Sequence, residues 1–323
     1  MKKEISVNEI KGITIGQVEN KEAATGCTVF ISKEGMRAGL DIRGGGPASR
    51  ETQLLNPLMA AEVIHSIVLA GGSAFGLEAG SGVMNYLEEK NIGLDVGITK
   101  VPLVVQSDIF DLGVGDPKVR PDREMGYRAA KQALEDPNYR DGNYGVGIGA
   151  TVGKIGGKNT CMKSGIGSYA LQIGDLQAGA VVVVNAVGDV FDWKCGKEIA
   201  GLLTEDKKNL RRSSDIMLER GVPEAGSLVT NTTLAVFMTN AKFTKAELCK
   251  IAGMAHDGYA RSIQPVHTSN DGDSIYAVSL GDLEVNRDLI GTLASEIISE
   301  AIIRAVKNAD PAYGITSFKD LQK

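Results

Sequence analysis

Ala180-Val181-Val182-Val183-Val184-Asn185 is apolar on every side until its last residue. An extended chain points successive side chains to opposite faces, so a run without polar alternation must be covered from both sides. This predicts a layered protein with a strand at its centre and a polar residue, Asn185, where that strand ends. A neighbouring strand is expected over 168–174. Further strands are predicted over 27–32, 37–43, 101–106, 227–238 and 274–280, from β-branched and aromatic residues or alternation. Helices are predicted over 56–70, with Pro57 in the first turn, and over 74–90, 122–134, 244–261 and 289–307. Thr244 followed by Glu247 has the spacing of a capping box. The glycine-rich stretch 145–157 reads as strand and turn, and the charged stretch 193–224 as an exposed connector. Strands and helices mix along the whole chain, giving α/β or α+β.

The 323 residues include 40 glycines but only 7 Phe, 8 Tyr and 1 Trp, and the glycines follow no short period. They point to tight turns and close backbone approaches. The formal net charge of −5, without a basic cluster, argues against nucleic acid as a partner. Cys27, Cys161, Cys195 and Cys249 form no C-x-x-C pair, as expected of a reduced protein. The N-terminus lacks an apolar core after Lys2-Lys3 and no stretch of about 18 apolar residues occurs, so the expectation is a cytoplasmic protein without a signal peptide or membrane span.

Several stretches carry candidate chemistry. Asn231-Thr232-Thr233 opens a strand directly after the charged connector, a suitable place for a chain break, though on its own it reads as a polar strand start. Asp271-Gly272-Asp273 precedes another strand and on its own reads as a turn. Two carboxylates on one turn, without a matched His pair, do not make a metal-ligand set. Gly147-Ile148-Gly149-Ala150-Thr151-Val152-Gly153 imitates part of a dinucleotide fingerprint, but Lys154 and further glycines follow where a helix should start. No G-x-S-x-G elbow is present for a Ser-His-Asp triad; Gly71-Gly72-Ser73-Ala74-Phe75-Gly76 comes closest and lacks the spacing. His65 and His256 fall in predicted helices, and His267 lies near the Asp-Gly-Asp turn.

Taken in order, Gly44-Gly45-Gly46-Pro47, Gly71-Gly72-Ser73-Ala74-Phe75-Gly76-Leu77, Gly147 to Lys154, Asn231-Thr232-Thr233-Leu234 and His267-Thr268 with Asp271-Gly272-Asp273 make the chain resemble the P1 family of peptidases. That family includes β-aminopeptidases, D-aminopeptidase-esterases and nylon-oligomer endohydrolases, and the resemblance runs from Gly12 to the last helix. It implies an α+β fold of the four-layer αββα sandwich type. It also implies a single domain, 1–323, that cuts itself between Asn231 and Thr232 into chains 1–231 and 232–323. Thr232 would then be an N-terminal nucleophile whose own α-amine is its base, without metal or cofactor. By the same resemblance Asp271 and Asp273 sit beside the nucleophile, Asn185 serves the oxyanion, and Lys154 lies near the amine. Gly72, Ser73 and Phe75 shape the substrate pocket; Tyr144 is a further candidate for lining it. The β-aminopeptidase branch carries Ser and Glu around the glycine of the turn, so Asp-Gly-Asp tilts the expectation toward the nylon-oligomer branch. The expected substrates are short peptide-like or 6-aminohexanoate-type amides, and the expected assembly is a homo-oligomer, a tetramer by resemblance. Two alternatives are an acyltransferase of the ornithine acetyltransferase type and a non-catalytic metabolite-binding protein.

Overall fold

The computed structural model describes residues 2–220 and 231–322. Among them, ten strands form one sheet: β1 (Lys2–Ile5), β2 (Thr14–Asn20), β3 (Thr25–Ile42), β4 (Ala48–Arg50), β5 (Ile64–Ala70), β6 (Val104–Asp108), β7 (Ile166–Ile173), β8 (Leu176–Val183), β9 (Leu234–Ala241) and β10 (Ser274–Leu283). Their spatial order is β1-β7-β8-β9-β10-β3-β5-β6-β4, with β2 on β3. Pairing is antiparallel except for β9 with β10 and β5 with β6. The helices are α1 (Ala79–Glu89), α2 (Arg123–Glu135), α3 (Ser213–Arg220), α4 (Lys245–Ser262) and α5 (Arg287–Asn308). The class is α+β.

β3 joins the two halves of the sheet. Its first part pairs with β2 and β5 through residues 25–31, and its last part with β10 through residues 37–42, across an irregularity between Ile31 and Met36. Three buried clusters result. Val182, Phe237 and Ala277 pack under Ile251 of α4 and Ile298 of α5. Val181, Val236 and Val278 meet Phe30, Ile67 and Leu69 from the other half of the sheet. Val29 and Val68 pack with Val83 of α1 and Ala130 of α2. The alternate residues Val181 and Val182 therefore face different cores, as their doubly apolar strand requires. Each fully buried aliphatic side chain of this kind contributes about 1.5–3 kcal/mol.

Several expectations need correction. No helix stands over 56–70: residues 56–63 are turns and irregular chain and 64–70 form strand β5, so His65 is a strand residue. Ile-His-Ser-Ile-Val-Leu-Ala is buried throughout, and a short apolar run bears no period that separates strand from helix. The strands expected over 27–32 and 37–43 are one continuous strand. The expected helix over 74–90 begins at Ala79, after a 3-10 turn, Ser73–Glu78. The stretch 145–157 is two 3-10 turns around a two-residue strand. The supposed connector is ordered in its described part by short pairings, such as Asp189–Asp192 with Lys197–Ala200, and by α3. Polar anchors hold it: Trp193 Nε1 donates to Glu300 at 2.9 Å, and Asp189 accepts from Leu202 and Ser213. The remainder of that stretch, and the start of the strand expected from 227, lie outside the described residues. The Thr244–Glu247 capping box is present as expected.

Candidate active site

The register of β9 on β10 assembles the site. Leu234 pairs with Ser274, and these strands are parallel, so the three residues before each strand also run side by side. Asn231-Thr232-Thr233 thereby lies against Asp271-Gly272-Asp273, with a bridge between Asn231 and Asp271. On the other flank Val183 of β8 pairs with Leu234, which brings Asn185 alongside Thr232. All these polar residues are buried at the end of a central strand.

The Thr232 nitrogen donates to the Asn185 carbonyl at 2.9 Å, and its Oγ1 hydroxyl donates to the carbonyl of Asn231. The same Asn231 carbonyl accepts the Gly272 amide at 3.1 Å. A backbone donor there polarises the peptide next to the hydroxyl and is placed to hold negative charge if that carbonyl is attacked. Position 272 must be glycine: a Cβ would stand 2.7 Å from Thr232 Oγ1. Gly44-Gly45-Gly46 backs this turn, with Gly46 N donating to the Asp271 carbonyl at 2.7 Å and Gly45 N to that of Thr268 at 3.2 Å. A Cβ on Gly44 would collide with the Asp271 carbonyl.

The two carboxylates have different surroundings. Asp273 accepts the Thr233 amide at 2.7 Å through Oδ1, and the His267 amide at 3.1 Å and ring Nδ1 at 2.9 Å through Oδ2. Asp271 accepts the Thr268 amide at 2.6 Å through Oδ2, while its buried Oδ1 has no hydrogen-bond partner among the described residues. Burial, reinforced by the neighbouring Asp273 charge, pushes the Asp271 carboxyl above its ordinary range. His267 supports the turn, as expected from its place in the sequence. Its ring meets that of His256 edge-on at 4.8 Å. Burial holds His256 down to about 4, so it is neutral at physiological pH.

Lys154 reaches the opposite side of the nucleophile. Its Nζ donates to Asn185 Oδ1 at 2.6 Å and to the Asn185 carbonyl at 3.1 Å, the carbonyl that Thr232 N also uses. Burial pushes the Lys154 ammonium down to about 7. The Asn185 side chain accepts the Thr151 amide at 3.2 Å, and its Nδ2 donates to the Phe110 carbonyl at 2.9 Å. The expected oxyanion donor is thus engaged with backbone in this uncut chain. The stretch 147–153 supplies this loop and leads into a three-residue 3-10 turn, not an α-helix, which removes the dinucleotide reading.

The pocket candidates separate into two groups. Gly72 adopts φ 83°, and its amide donates to Asp111 Oδ1 at 2.8 Å, next in sequence to the Phe110 that holds Asn185. Ser73 N donates to the Ile109 carbonyl at 3.0 Å. Phe75 is 60% exposed, with the Arg120 guanidinium 3.8 Å over its ring. Tyr144 lies under Arg140 at 3.9 Å, and among the described residues it makes no hydrogen bond to the site. Asp111 escaped the sequence reading. Burial pushes its carboxyl up to about 6 against the bonds from Gly72 and Thr25. Its signal was faint, a carboxylate just past the short strand β6, whose residues are all buried. Among the described residues, no group of three or more His, Cys, Asp or Glu is placed to hold a metal ion.

At one strand end this α+β sheet presents a buried threonine, a peptide carbonyl that accepts a backbone amide, a lysine and two carboxylates, and the class the family assigns to it is that of amide-bond hydrolases. The chain belongs to peptidase family S58, whose model matches residues 6–318. It is 34% identical to an uncharacterized aminopeptidase of Mycobacterium leprae, over 97% of this chain and 93% of that protein. It is 32% identical to the 6-aminohexanoate-oligomer endohydrolase of Paenarthrobacter ureafaciens, over 93% of this chain and 85% of that one. Among solved structures it resembles the L-aminopeptidase D-Ala-esterase/amidase of Ochrobactrum anthropi, with a TM-score of 0.68 at 16% identity, covering 98% of this chain and 92% of that one. A β-aminopeptidase of Burkholderia sp. gives a TM-score of 0.67 at 18% identity, with the same coverage. These structural likenesses concern the fold. Family membership makes the chain a hydrolase and sets aside the non-catalytic binding protein. Among the described residues, no helix is long and apolar enough to cross a membrane.

Proposed function

We propose that the chain cuts itself between Asn231 and Thr232 and then hydrolyses short peptide-like or ω-amino-acid amides, of the 6-aminohexanoate-oligomer type, with Thr232 as an N-terminal nucleophile. The observation that carries this reading is the convergence of Thr232 N and Lys154 Nζ on one carbonyl oxygen of Asn185, with Thr232 Oγ1 against the Asn231 carbonyl. In the first step Thr232 Oγ attacks the Asn231 carbonyl carbon, and the Gly272 amide holds the developing oxyanion. The Thr232 nitrogen is still an amide and cannot be the base, so Asp271, opposite Asn231 by register, takes the hydroxyl proton. The C–N bond breaks with return of that proton to nitrogen, leaving an ester, and water releases Asn231 as a carboxylate. The new α-amine, ordinarily titrating near about 7.7–8.0, then serves as base for Oγ on the substrate amide. Water resolves the acyl-enzyme.

In this reading 1–231 and 232–323 remain one domain. The four-layer αββα arrangement is supported by the three stacked cores, with α4–α5 on one side and α1–α2 on the other. A homo-oligomer of such units in the cytoplasm completes the proposal. The exposed apolar hairpin around Val96 and Ile98, the latter 95% exposed, supports the oligomer. The test is mass spectrometry and N-terminal sequencing of purified protein, followed by turnover of linear 6-aminohexanoate oligomers and β-dipeptides. Two chains, one starting at Thr232, are expected; active protein that is wholly uncut refutes the mechanism.

Lys154 has a specific signature. Burial holds Lys154 down to about 7, so it is charged only on the acid side of the amine's own titration. There two cations on one carbonyl repel, which enlarges the amine's neutral fraction. The amine works only when neutral, so activity rises with pH through its titration. Lys154→Met removes the repulsion and lowers kcat/KM several-fold below about pH 7, while above about pH 8, where Lys154 is neutral, the rising limb is unchanged. A pH profile of kcat/KM on mature enzyme reads the difference directly; an acid side that matches the wild type detaches Lys154 from the amine.

A further inference from the structure

Lys163 is fully buried and plays no part in the chemistry above. Its Nζ donates to the carbonyls of Gly147 at 3.2 Å, Ala150 at 3.0 Å and Ser164 at 2.5 Å. Its backbone pairs with Thr151, and its amide donates to the Thr316 carbonyl at 2.8 Å. Taking an ammonium out of water is costly, and a methionine would fill the same space without that cost. Burial pushes the ammonium down to about 7, yet three carbonyl oxygens match its three hydrogens and are gathered around it.

One of those carbonyls leads to the site within a single rigid unit. Ala150 C=O and Thr151 N–H are the two ends of one peptide group, which is planar and does not twist. Lys163 holds the oxygen end, where the Ser164 amide also donates at 3.0 Å. Asn185 Oδ1 accepts the nitrogen end at 3.2 Å. That same Oδ1 accepts Lys154 Nζ, and the Asn185 carbonyl accepts the nucleophile's nitrogen. We propose that Lys163 is a positioning residue for the reaction: it fixes the tilt of the 150–151 peptide, which orients Asn185 and, through it, Lys154 and Thr232. Freed of the ammonium, the oxygen end of the peptide keeps only the Ser164 bond, the peptide tilts about it, and the Asn185 side chain loses its setting.

The inference rests on the Thr232 reading, and the test separates the two. Lys163→Met and Lys163→Arg are compared with the wild type in melting temperature, rate of chain cleavage, and kcat and KM on a linear 6-aminohexanoate trimer. The Met variant is expected to melt cooperatively yet cleave at least tenfold more slowly, with mature kcat at least tenfold lower and KM within twofold. Arg, which restores donors to the carbonyls, recovers part of kcat. A folded Met variant with wild-type rates overturns the proposal, as does a rise in KM at unchanged kcat. Failure of both variants to fold assigns Lys163 to the core alone and overturns it equally. A wild-type chain that neither cleaves nor turns over removes the Thr232 reading itself, whatever the variants do.

Discussion

Thr232→Ala leaves a single 323-residue chain on a denaturing gel, and its turnover of amide substrates falls by about 10⁴-fold or more, the scale on which an enzyme feels the loss of its nucleophile. Both losses follow from one side chain. The alanine has no oxygen to set against the Asn231 carbonyl, so no ester forms and no α-amine is released. The fold survives, because the Thr232 amide still donates to Asn185 and the small methyl fits beside Gly272. Thr232→Ser is the companion. It keeps the hydroxyl but loses the branched methyl that restricts χ1, and it is expected to cleave, several-fold more slowly. Intact mass at timed intervals after purification distinguishes the two variants. A Thr232→Ala protein that still yields two chains moves the cut elsewhere and ends the proposal.

The second large effect separates the two carboxylates of the turn. Asp273→Ala strands the Thr233 and His267 amides in a buried site, at about 1–3 kcal/mol for each unsatisfied donor, and it also releases the His267 ring. The expected outcome is a loss of about 3 kcal/mol in denaturant unfolding, together with loss of cleavage. Asp271→Asn behaves differently. The asparagine oxygen can still accept from Thr268, so that bond persists. Burial raises the folded carboxyl's pKa above its unfolded value, so ionising Asp271 in the folded chain costs stability at neutral pH, and removing that charge does not destabilise. Cleavage, however, loses its proton acceptor, a loss of about 10²–10⁴-fold for a general base. The signature is therefore an unstable chain in one case and a stable, slow one in the other. Equal stability losses in both variants, measured by urea titration, contradict this division.

The candidate site was legible through the family resemblance; by position alone its residues read as a polar strand start, a turn and a strand end. Asn231-Thr232-Thr233 and Asp271-Gly272-Asp273 each stand directly before a strand, and Asn185 directly after one. Their meeting needed one further fact, the parallel register of β9 and β10, which no local pattern encodes. The doubly apolar run ending at Asn185 was read correctly as a covered strand, because burial on two faces writes itself into every residue. Ile64–Ala70 is buried just as fully but includes His65 and Ser66, and it was misread, since a short run lacks a period. Asp111 and Lys163 were illegible for another reason. Their partners, Gly72 and Thr25 for one and Gly147 and Ala150 for the other, are set by tertiary packing, and a lone charged residue in a sequence looks solvated until its neighbours are known. The described part of the 193–224 stretch was read as loose because its order comes from hydrogen bonds rather than apolar spacing.

The strand order has a bearing on the molecule's lifetime. β9 and β10 are flanked by β8 on one side and β3 on the other, so a cut at 231 leaves the smaller fragment wedged in the middle of a sheet whose borders belong to the larger. Two fragments interleaved in this way separate only by global melting, and once apart they must find each other again by diffusion. Severing the chain thus turns a unimolecular folding problem into a bimolecular one. The working form is then preserved by the height of its unfolding barrier, not by its ability to refold, and heat inactivation of dilute enzyme becomes a one-way process.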